Sequence, residues 1–420
     1  MKKRLGIYIH IPFCASKCSY CDFYSLQGCD YIMPDYQEAL LDHIEESSHS
    51  IKNYEVDSIY FGGGTPSYYG ADRIVEIFDT LKLNGNVRLD SEVTVECNPD
   101  SISLTALKLL RAEGVNRLSI GIQASDPNLL KLIGRRHNFL QAQKAYADAR
   151  KAGFDNISVD LMYGLPSQTK SDWAETLSKI VEMHPEHISC YGLKLEPGTR
   201  MYKEYYGSSI LPDDDAQADM YSYAAEMLER YGYKQYEISN FAAPGYESKH
   251  NLKYWNMDDY MSFGPGAHSC IGNVRYSFVK DLKQYIYGVH KKISIVDEYE
   301  QIDPLERAVE YVMLGMRTSR GISEHDYRLR CQCDWKPILK VLQAFKEKGW
   351  VELTDDRWHF TVPGFLISNT LIGIMLETQA SGRIDSTPWM QDADRAAYKI
   401  SLPKGEEELF AELYEQKMNQ

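Results

Sequence analysis

The sequence predicts an α/β protein built on a parallel sheet, and three observations point there. Short apolar runs alternate with amphipathic stretches through the first half of its 420 residues. Several amphipathic stretches end at a glycine, Gly114 and Gly153 among them, where a left-handed cap can close a helix. Polar and glycine residues collect at the C-terminal ends of the apolar runs, which is where parallel α/β architectures carry their chemistry.

Taken in order, the strands are expected at residues 6–11, 58–61, 92–97, 117–122, 157–163 and 187–195. Helical patterns fall between them at 34–47, 71–83, 104–113, 140–152 and 171–183. Six strands, each followed by a helix, imply right-handed crossovers. Such a sheet either closes partly into a barrel or lies open. Beyond about residue 200 the pattern changes. LPDDDAQADMYSYAAEMLERYGY reads as a polar start and a helix, and a glycine- and aromatic-rich region follows it. From Pro304 the sequence predicts a helix, a short helix at 323–331, a helix at 336–348, strands at 350–354 and 357–361, and a helix at 363–377. That order suggests a small winged-helix-like module. Such modules often bind DNA, but the acidity of the chain favours a packing or lid role. The tail after Ala380 is polar and ends in an amphipathic stretch, GEEELFAELYEQKM.

Net charge is −14 and no dense Lys/Arg block appears, which argues against a nucleic acid as the main partner. No apolar stretch approaches the length of a membrane span. The N-terminus, MKKRLGIYIHIPFC, superficially looks like a signal peptide, but His10 and Pro12 break its apolar run, so it reads as a buried strand. A cytoplasmic location, where thiols stay reduced, is expected.

Cys14, Cys18 and Cys21 stand as Cys-x-x-x-Cys-x-x-Cys directly after the first strand. Three thiolates on one loop can hold three corners of a 4Fe–4S cluster and leave the fourth iron open to a small molecule. Structural zinc is the competing reading. It wants four ligands, and Cys29 could be the fourth, but no second tight pair follows nearby. Cys331 and Cys333 form the other close pair, with a gap that suits zinc fingers poorly. Nine cysteines are too sparse, and odd in number, for a disulfide framework.

The strand ends offer further candidates. Gly62-Gly63-Gly64-Thr65-Pro66-Ser67 follows a strand and can present bare backbone to a ligand, or simply make a tight turn. Glu96, Gln123 and Asp160 sit at successive strand ends, as helix caps or as ligand contacts. Arg135, in LIGRRH, could pair with a carboxylate or lie solvated at the surface.

IYIHIPFCASKCSYCDF, FGGGTPS, VECNPD, RLSIGIQA and VDLMYGLPSQT together resemble the radical S-adenosylmethionine superfamily, and within it the oxygen-independent coproporphyrinogen III oxidase family. HNLKYW, LPDDDA, YEISNFAAPGY and GPGAHS resemble its haem-chaperone branch. The likeness runs from residue 5 to residue 377. It implies a partial (β/α)6 TIM-like barrel over 1–235, a connecting region over 236–300, a winged-helix-like α+β domain over 301–380 and a polar tail over 381–420.

By the same resemblance, Cys14, Cys18 and Cys21 would ligate the cluster, and S-adenosylmethionine would complete the fourth iron. Tyr8 and Tyr20 match aromatic positions beside the cluster, and Gly64 and Thr65 the turn that meets the methionine moiety. Glu96, Gln123, Arg135, Asp160 and Lys194 match further S-adenosylmethionine contacts. The chemistry agrees, because a sulfonium with a ribose and a carboxylate needs acceptors, a cation and bare backbone. The oxidases carry a fourth cysteine two places after the third and an extended N-terminal segment. This sequence has Phe23 at that position and lacks the segment.

The leading expectation is therefore a chaperone that binds haem as cargo and hands it to an acceptor protein. His250 of HNLKYW and His268 of GPGAHS are the candidate haem ligands, with Cys270 a competitor. The second expectation is oxidative decarboxylation of coproporphyrinogen III, in which a 5′-deoxyadenosyl radical takes hydrogen from a propionate. A flavodoxin or ferredoxin would then supply electrons. A third expectation, radical modification of nucleic acid, is disfavoured by the charge.

Overall fold

The computed structural model describes residues 2–330 and 334–386. Six strands lie side by side in chain order, each parallel to the next: β1 (Arg4–Ile11), β2 (Glu55–Gly63), β3 (Val87–Cys97), β4 (Arg117–Gln123), β5 (Ile157–Tyr163) and β6 (His187–Gly192). Helices α1 (Met33–Glu46), α2 (Ala71–Asn84), α3 (Leu104–Ala112), α4 (Phe139–Lys151) and α5 (Lys170–Val181) make the crossovers. Ser103 caps the first turn of α3, and reciprocal capping boxes, Asn138 with Gln141 and Thr169 with Asp172, start α4 and α5.

The strands are buried on both faces, yet they alternate strictly with period two. Ile59 and Phe61, Val93 and Val95, Leu118 and Ile120, and Val159 and Leu161 make the apolar set, all at 2 % exposure or less. The intervening positions form the other face, and register sets them in rows. Tyr8 pairs with Tyr60, Tyr60 with Thr94 and Thr94 with Arg117. One row on, Glu96 pairs with Ser119, Ser119 with Ser158 and Ser158 with His187. Gly121, Asp160 and Ser189 make the next. This polar face is the barrel interior. The apolar face holds the fold together, and Ile120→Ala there would cost about 2–5 kcal/mol.

Residues after α6 (Asp214–Arg230) do not form a separate connecting region. They extend the same sheet through β7 (Lys234–Gln235), β8 (Asn240–Ala242), β9 (Tyr260–Phe263), β10 (His268–Ile271), β11 (Val274–Phe278) and β12 (Val296–Gln301). The order among the described residues is β12-β11-β10-β9-β1-β2-β3-β4-β5-β6-β8-β7, so the barrel is partial, ending at β12 and β7. β9 is a further parallel strand beside β1, with Tyr8 opposite Ser262. Sequence periodicity does not reveal it, because four residues carry no legible alternation. Helices α7 (Lys249–Asn256) and α8 (Leu282–Lys291) complete this part. The expected strand at 187–195 stops at Gly192, which moves Lys194 off the strand.

Met1–Gln235, Ser239–Tyr254 and Asp258–Gln301 make one compact unit; Tyr236–Ile238, Trp255–Met257 and the chain from Ile302 make a second. The second contains α9 (Pro304–Gly315), α10 (Glu324–Arg330), α11 (Lys336–Glu347), an antiparallel pair β13 (Val351–Thr354) and β14 (Arg357–Phe360), and α12 (Ser368–Ser386). Val312, Leu342, Leu371 and Met375 lie in its core. The single helix expected at 363–377 is two, Val362–Leu366 and α12, because Ile367 leaves helical geometry between them. Cys331, Cys333 and the amphipathic stretch at 405–418 lie outside the described residues.

Candidate functional site

The C-terminal ends of β1 to β6 surround a cavity of ≈ 320 Å³. Cys14, Cys18, Tyr20, Cys21, Gly64, Thr65, Glu96, Gln123, Arg135 and Asp160 all line it. The cysteine loop is pinned at its base, where Phe13–Cys14 pairs with Leu26–Gln27, and Cys21 N donates to Cys18 O at 3.3 Å. Burial pushes the Cys14 and Cys21 thiols up from their ordinary range. Among the described residues, no three His, Cys, Asp or Glu side chains are arranged to hold a single metal ion. Cys29 bonds to Gln27 O and is not among the lining residues.

A polar chain ties the loop to the neighbouring strand ends. Thr65 Oγ1 donates to Cys14 Sγ at 3.4 Å, Asn98 Nδ2 donates to Thr65 Oγ1 at 3.2 Å, and Arg135 donates to Asn98 Oδ1 at 2.6 Å. The Arg135 guanidinium stands 5.9 Å from the Tyr20 ring centroid. Its Nε is buried without a hydrogen-bond partner. Gly64 admits no side chain, since a Cβ there would come within 2.7 Å of the Ile11 and Phe13 carbonyl oxygens. Gln123, at the β4 bulge, takes φ 70°, a left-handed conformation that is costly for a non-glycine residue and characteristic of functional sites.

The two carboxylates are held differently. Glu96 accepts from Tyr60 OH at 2.8 Å, and burial, helped by Asp160, raises its pKa to about 7 against the bond from Tyr60. Asp160 accepts from Ser119 at 2.8 Å, Ser189 at 2.7 Å and Ser158 at 3.3 Å. His187 pairs with Ser158 Oγ at 2.8 Å, and burial together with Arg117 lowers its pKa well below the usual imidazole value.

Three expected contacts lie elsewhere. Tyr8 is not a lining residue. It stands beside Tyr60, and its hydroxyl pairs with His10 Nδ1 at 3.1 Å. Lys194 is 81 % exposed and ion-paired with Glu196 at 2.6 Å, because β6 ends before it. His250 is fully buried with both ring nitrogens engaged, Nδ1 with Ser58 Oγ at 3.0 Å and Nε2 with Tyr254 OH at 2.8 Å, and so offers neither to an iron. His268 is exposed at the start of β10, and Cys270 is buried.

Asn98, Tyr60, Arg117, Ser119, Ser158, His187 and Ser189 also line the cavity, and sequence reasoning does not single them out. The signal that could have found them is the period-two alternation of polar residues inside apolar strands, as in ISVDLMY and HISCYG. The donor set fits a cluster with S-adenosylmethionine. Three thiols share one cavity with an unpartnered buried guanidinium nitrogen and two carboxylates, while the Gly64 and Thr65 N–H groups donate to the Ile11 and Phe13 carbonyls. No helix among the described residues is long and apolar enough to cross a membrane.

Residues 8–180 match the Radical SAM superfamily, and residues 302–367 match the HemN C-terminal domain. The heme chaperone HemW of Bacillus subtilis is 35 % identical over 372 residues, covering 88 % of this chain and 98 % of that protein. The heme chaperone HemW of Escherichia coli is 31 % identical over 384 residues, covering 89 % and 98 %. Among solved structures, coproporphyrinogen III oxidase (HemN) from Escherichia coli superposes with a TM-score of 0.78 over 89 % of this chain and 90 % of its own, at 23 % identity.

Proposed function

We propose that this chain, which belongs to the heme chaperone HemW family of the radical S-adenosylmethionine superfamily, binds haem and passes it to an acceptor protein. In this reading it holds a 4Fe–4S cluster on Cys14, Cys18 and Cys21, with exchangeable S-adenosylmethionine beside it. The observation that carries the cofactor part is the meeting of the three thiols with Glu96, Gln123, Arg135 and Asp160 on one cavity. Held by Cys14, Cys18 and Cys21, a bound cluster would supply one-electron chemistry to S-adenosylmethionine in the same cavity. The chain's own residues bind and orient. Arg135 faces the carboxylate, Gly64 and Thr65 the amino-acid backbone, and Glu96 and Asp160 accept from hydroxyl or amine groups. Lys194, already paired at the surface, is left out.

Haem binding rests on the relatives, whose names state it. Of the two histidine candidates, His268 has an accessible ring, while His250 would have to give up both its partners. Thiols needed in reduced form support a reducing compartment, the cytoplasm in this reading. Coproporphyrinogen oxidation is the alternative reading; its support is likeness of fold. Phe23, 64 % exposed at the cavity, stands where the oxidases have a fourth cysteine.

Haem titration of the anaerobically reconstituted protein tests the main reading. A saturable Soret shift is expected, and His268→Ala should weaken it. No saturable shift, or catalytic formation of protoporphyrinogen from coproporphyrinogen III, would overturn the chaperone reading.

A further inference from the structure

Residues 250–254 of HNLKYW, whose histidine offers no free nitrogen to haem, are built into the barrel interior in another way. Glu92 receives the backbone N–H groups of Lys249 and His250, at 3.2 and 3.1 Å, which fixes the first turn of α7 against β3. Lys253 on the same helix makes a buried ion pair with Asp57 at 2.7 Å. The His250 ring then stacks on Tyr60, with centroids 5.3 Å apart, and on Tyr8, at 6.4 Å.

From these rings two paths lead to the cofactor site. Tyr60 OH donates to the Glu96 carboxylate at 2.8 Å. Tyr8 OH pairs with His10 Nδ1, and His10 Nε2 pairs with the Tyr24 carbonyl at 2.8 Å, three residues past Cys21. Glycines clear the space. A Cβ on Gly6 would lie 3.2 Å from the His250 ring, one on Gly62 2.9 Å from the Tyr60 ring, and one on Gly63 2.5 Å from the His10 ring. Burial keeps both histidines neutral, with His10 lowered to about 4 and His250 to about 3. The stack is thus uncharged as well as close-packed.

We infer that His250 is a positioning residue of the cofactor site, setting Glu96 through Tyr60 and bracing the cysteine loop through Tyr8 and His10. The inference rests on the reading of Glu96 as an S-adenosylmethionine contact. It gives HNLKYW a purpose apart from haem ligation.

A double-mutant cycle on the anaerobically reconstituted full-length protein tests it, with S-adenosylmethionine itself as the probe. Its dissociation constant is read by equilibrium dialysis, and its approach to the cluster by the EPR line shape of the reduced protein. Tyr60→Phe keeps the stack and removes only the hydroxyl that holds Glu96. Tyr60→Phe and His250→Ala should each weaken binding by about tenfold, the worth of one good hydrogen bond to a charged group. The double variant should be no weaker than His250→Ala alone, because nothing is left to transmit. Losses that multiply, or wild-type affinity in His250→Ala, would overturn the inference. If His250→Ala does not fold, His250→Asn replaces it in the same cycle, with the same results expected and the same results overturning the inference. Glu96→Ala separates this from the underlying reading. Unchanged affinity there removes Glu96 from the site and the inference with it. Lost affinity beside an unresponsive His250→Ala removes the positioning role alone.

Discussion

On β1 and β2 the interior of the barrel carries aromatic rings, Tyr8, His10 and Tyr60, and on β4 to β6 it carries serines, Ser119, Ser158 and Ser189. On the aromatic wall a single hydroxyl, from Tyr60, holds Glu96, and the Tyr60 ring leans on His250 and Tyr8. On the seryl wall three hydroxyls hold Asp160, and the His187 ring stands behind one of them, Ser158. The difference is one of reach and redundancy. Rings carry position from a distant helix but fail at a single link. Serines act only locally, and each has two companions.

Both walls matter only if the cavity holds the cofactor, so the largest expected effect is at the loop. Replacing Cys14, Cys18 and Cys21 together by alanine should abolish iron and sulfide in the reconstituted protein, and stoichiometric iron in that variant would remove the comparison's premise. The next largest effect is that of acid on the buried histidines. Burial lowers His10, His43 and His137 to about 4 and His250 to about 3. The unfolded chain therefore binds more protons than the folded one as pH falls below 6.5, and stability drops. At pH 5 each such histidine costs about 2 kcal/mol. Glu96, raised to about 7, acts oppositely between its unfolded value and pH 7, since the folded protein there holds the extra proton. It is one group against five, since His187 is lowered as well, so the melting temperature should fall steadily from pH 6.5 to pH 4. A flat profile in differential scanning calorimetry would mean that these histidines are not buried as neutral rings.

The walls are compared most directly by removing one hydroxyl from each. Tyr60→Phe should weaken S-adenosylmethionine binding by about tenfold and Ser189→Ala by about threefold, because Asp160 keeps two donors. Equal losses would erase the distinction. The smallest effect belongs to Lys194→Ala, which should leave that affinity unchanged because the side chain is exposed and paired with Glu196.

The strands of the barrel are legible because parallel strands under helices must carry an apolar set on one face, as GIYIHI and RLSIGIQ do. The cysteines and the strand-end carboxylates are legible by type and position. The serines around Asp160 show only as polar members of a period-two alternation, which marks their face of the strand but not that a cavity lies on it. His250 misleads for a related reason: a ligand-type side chain does not reveal in sequence whether its nitrogens are already taken. Lys194 is misplaced when β6 is carried past Gly192, and β9 escapes notice because its role depends on a strand far away in the chain.

That last pairing has a consequence for the order of assembly. β1 is flanked on one side by β2 and on the other by β9, whose residues 260–263 follow only after all six barrel strands. Domains fold as their segments emerge during synthesis, so the cysteine loop is out of the ribosome long before β1 has its second neighbour. Until then β1 has an open edge, although Arg135, Asp160 and Asn251, which line the cavity with the thiols, all precede β9 in the chain. A chain stopped short of β9 would carry all three cysteines directly after a strand with one edge open.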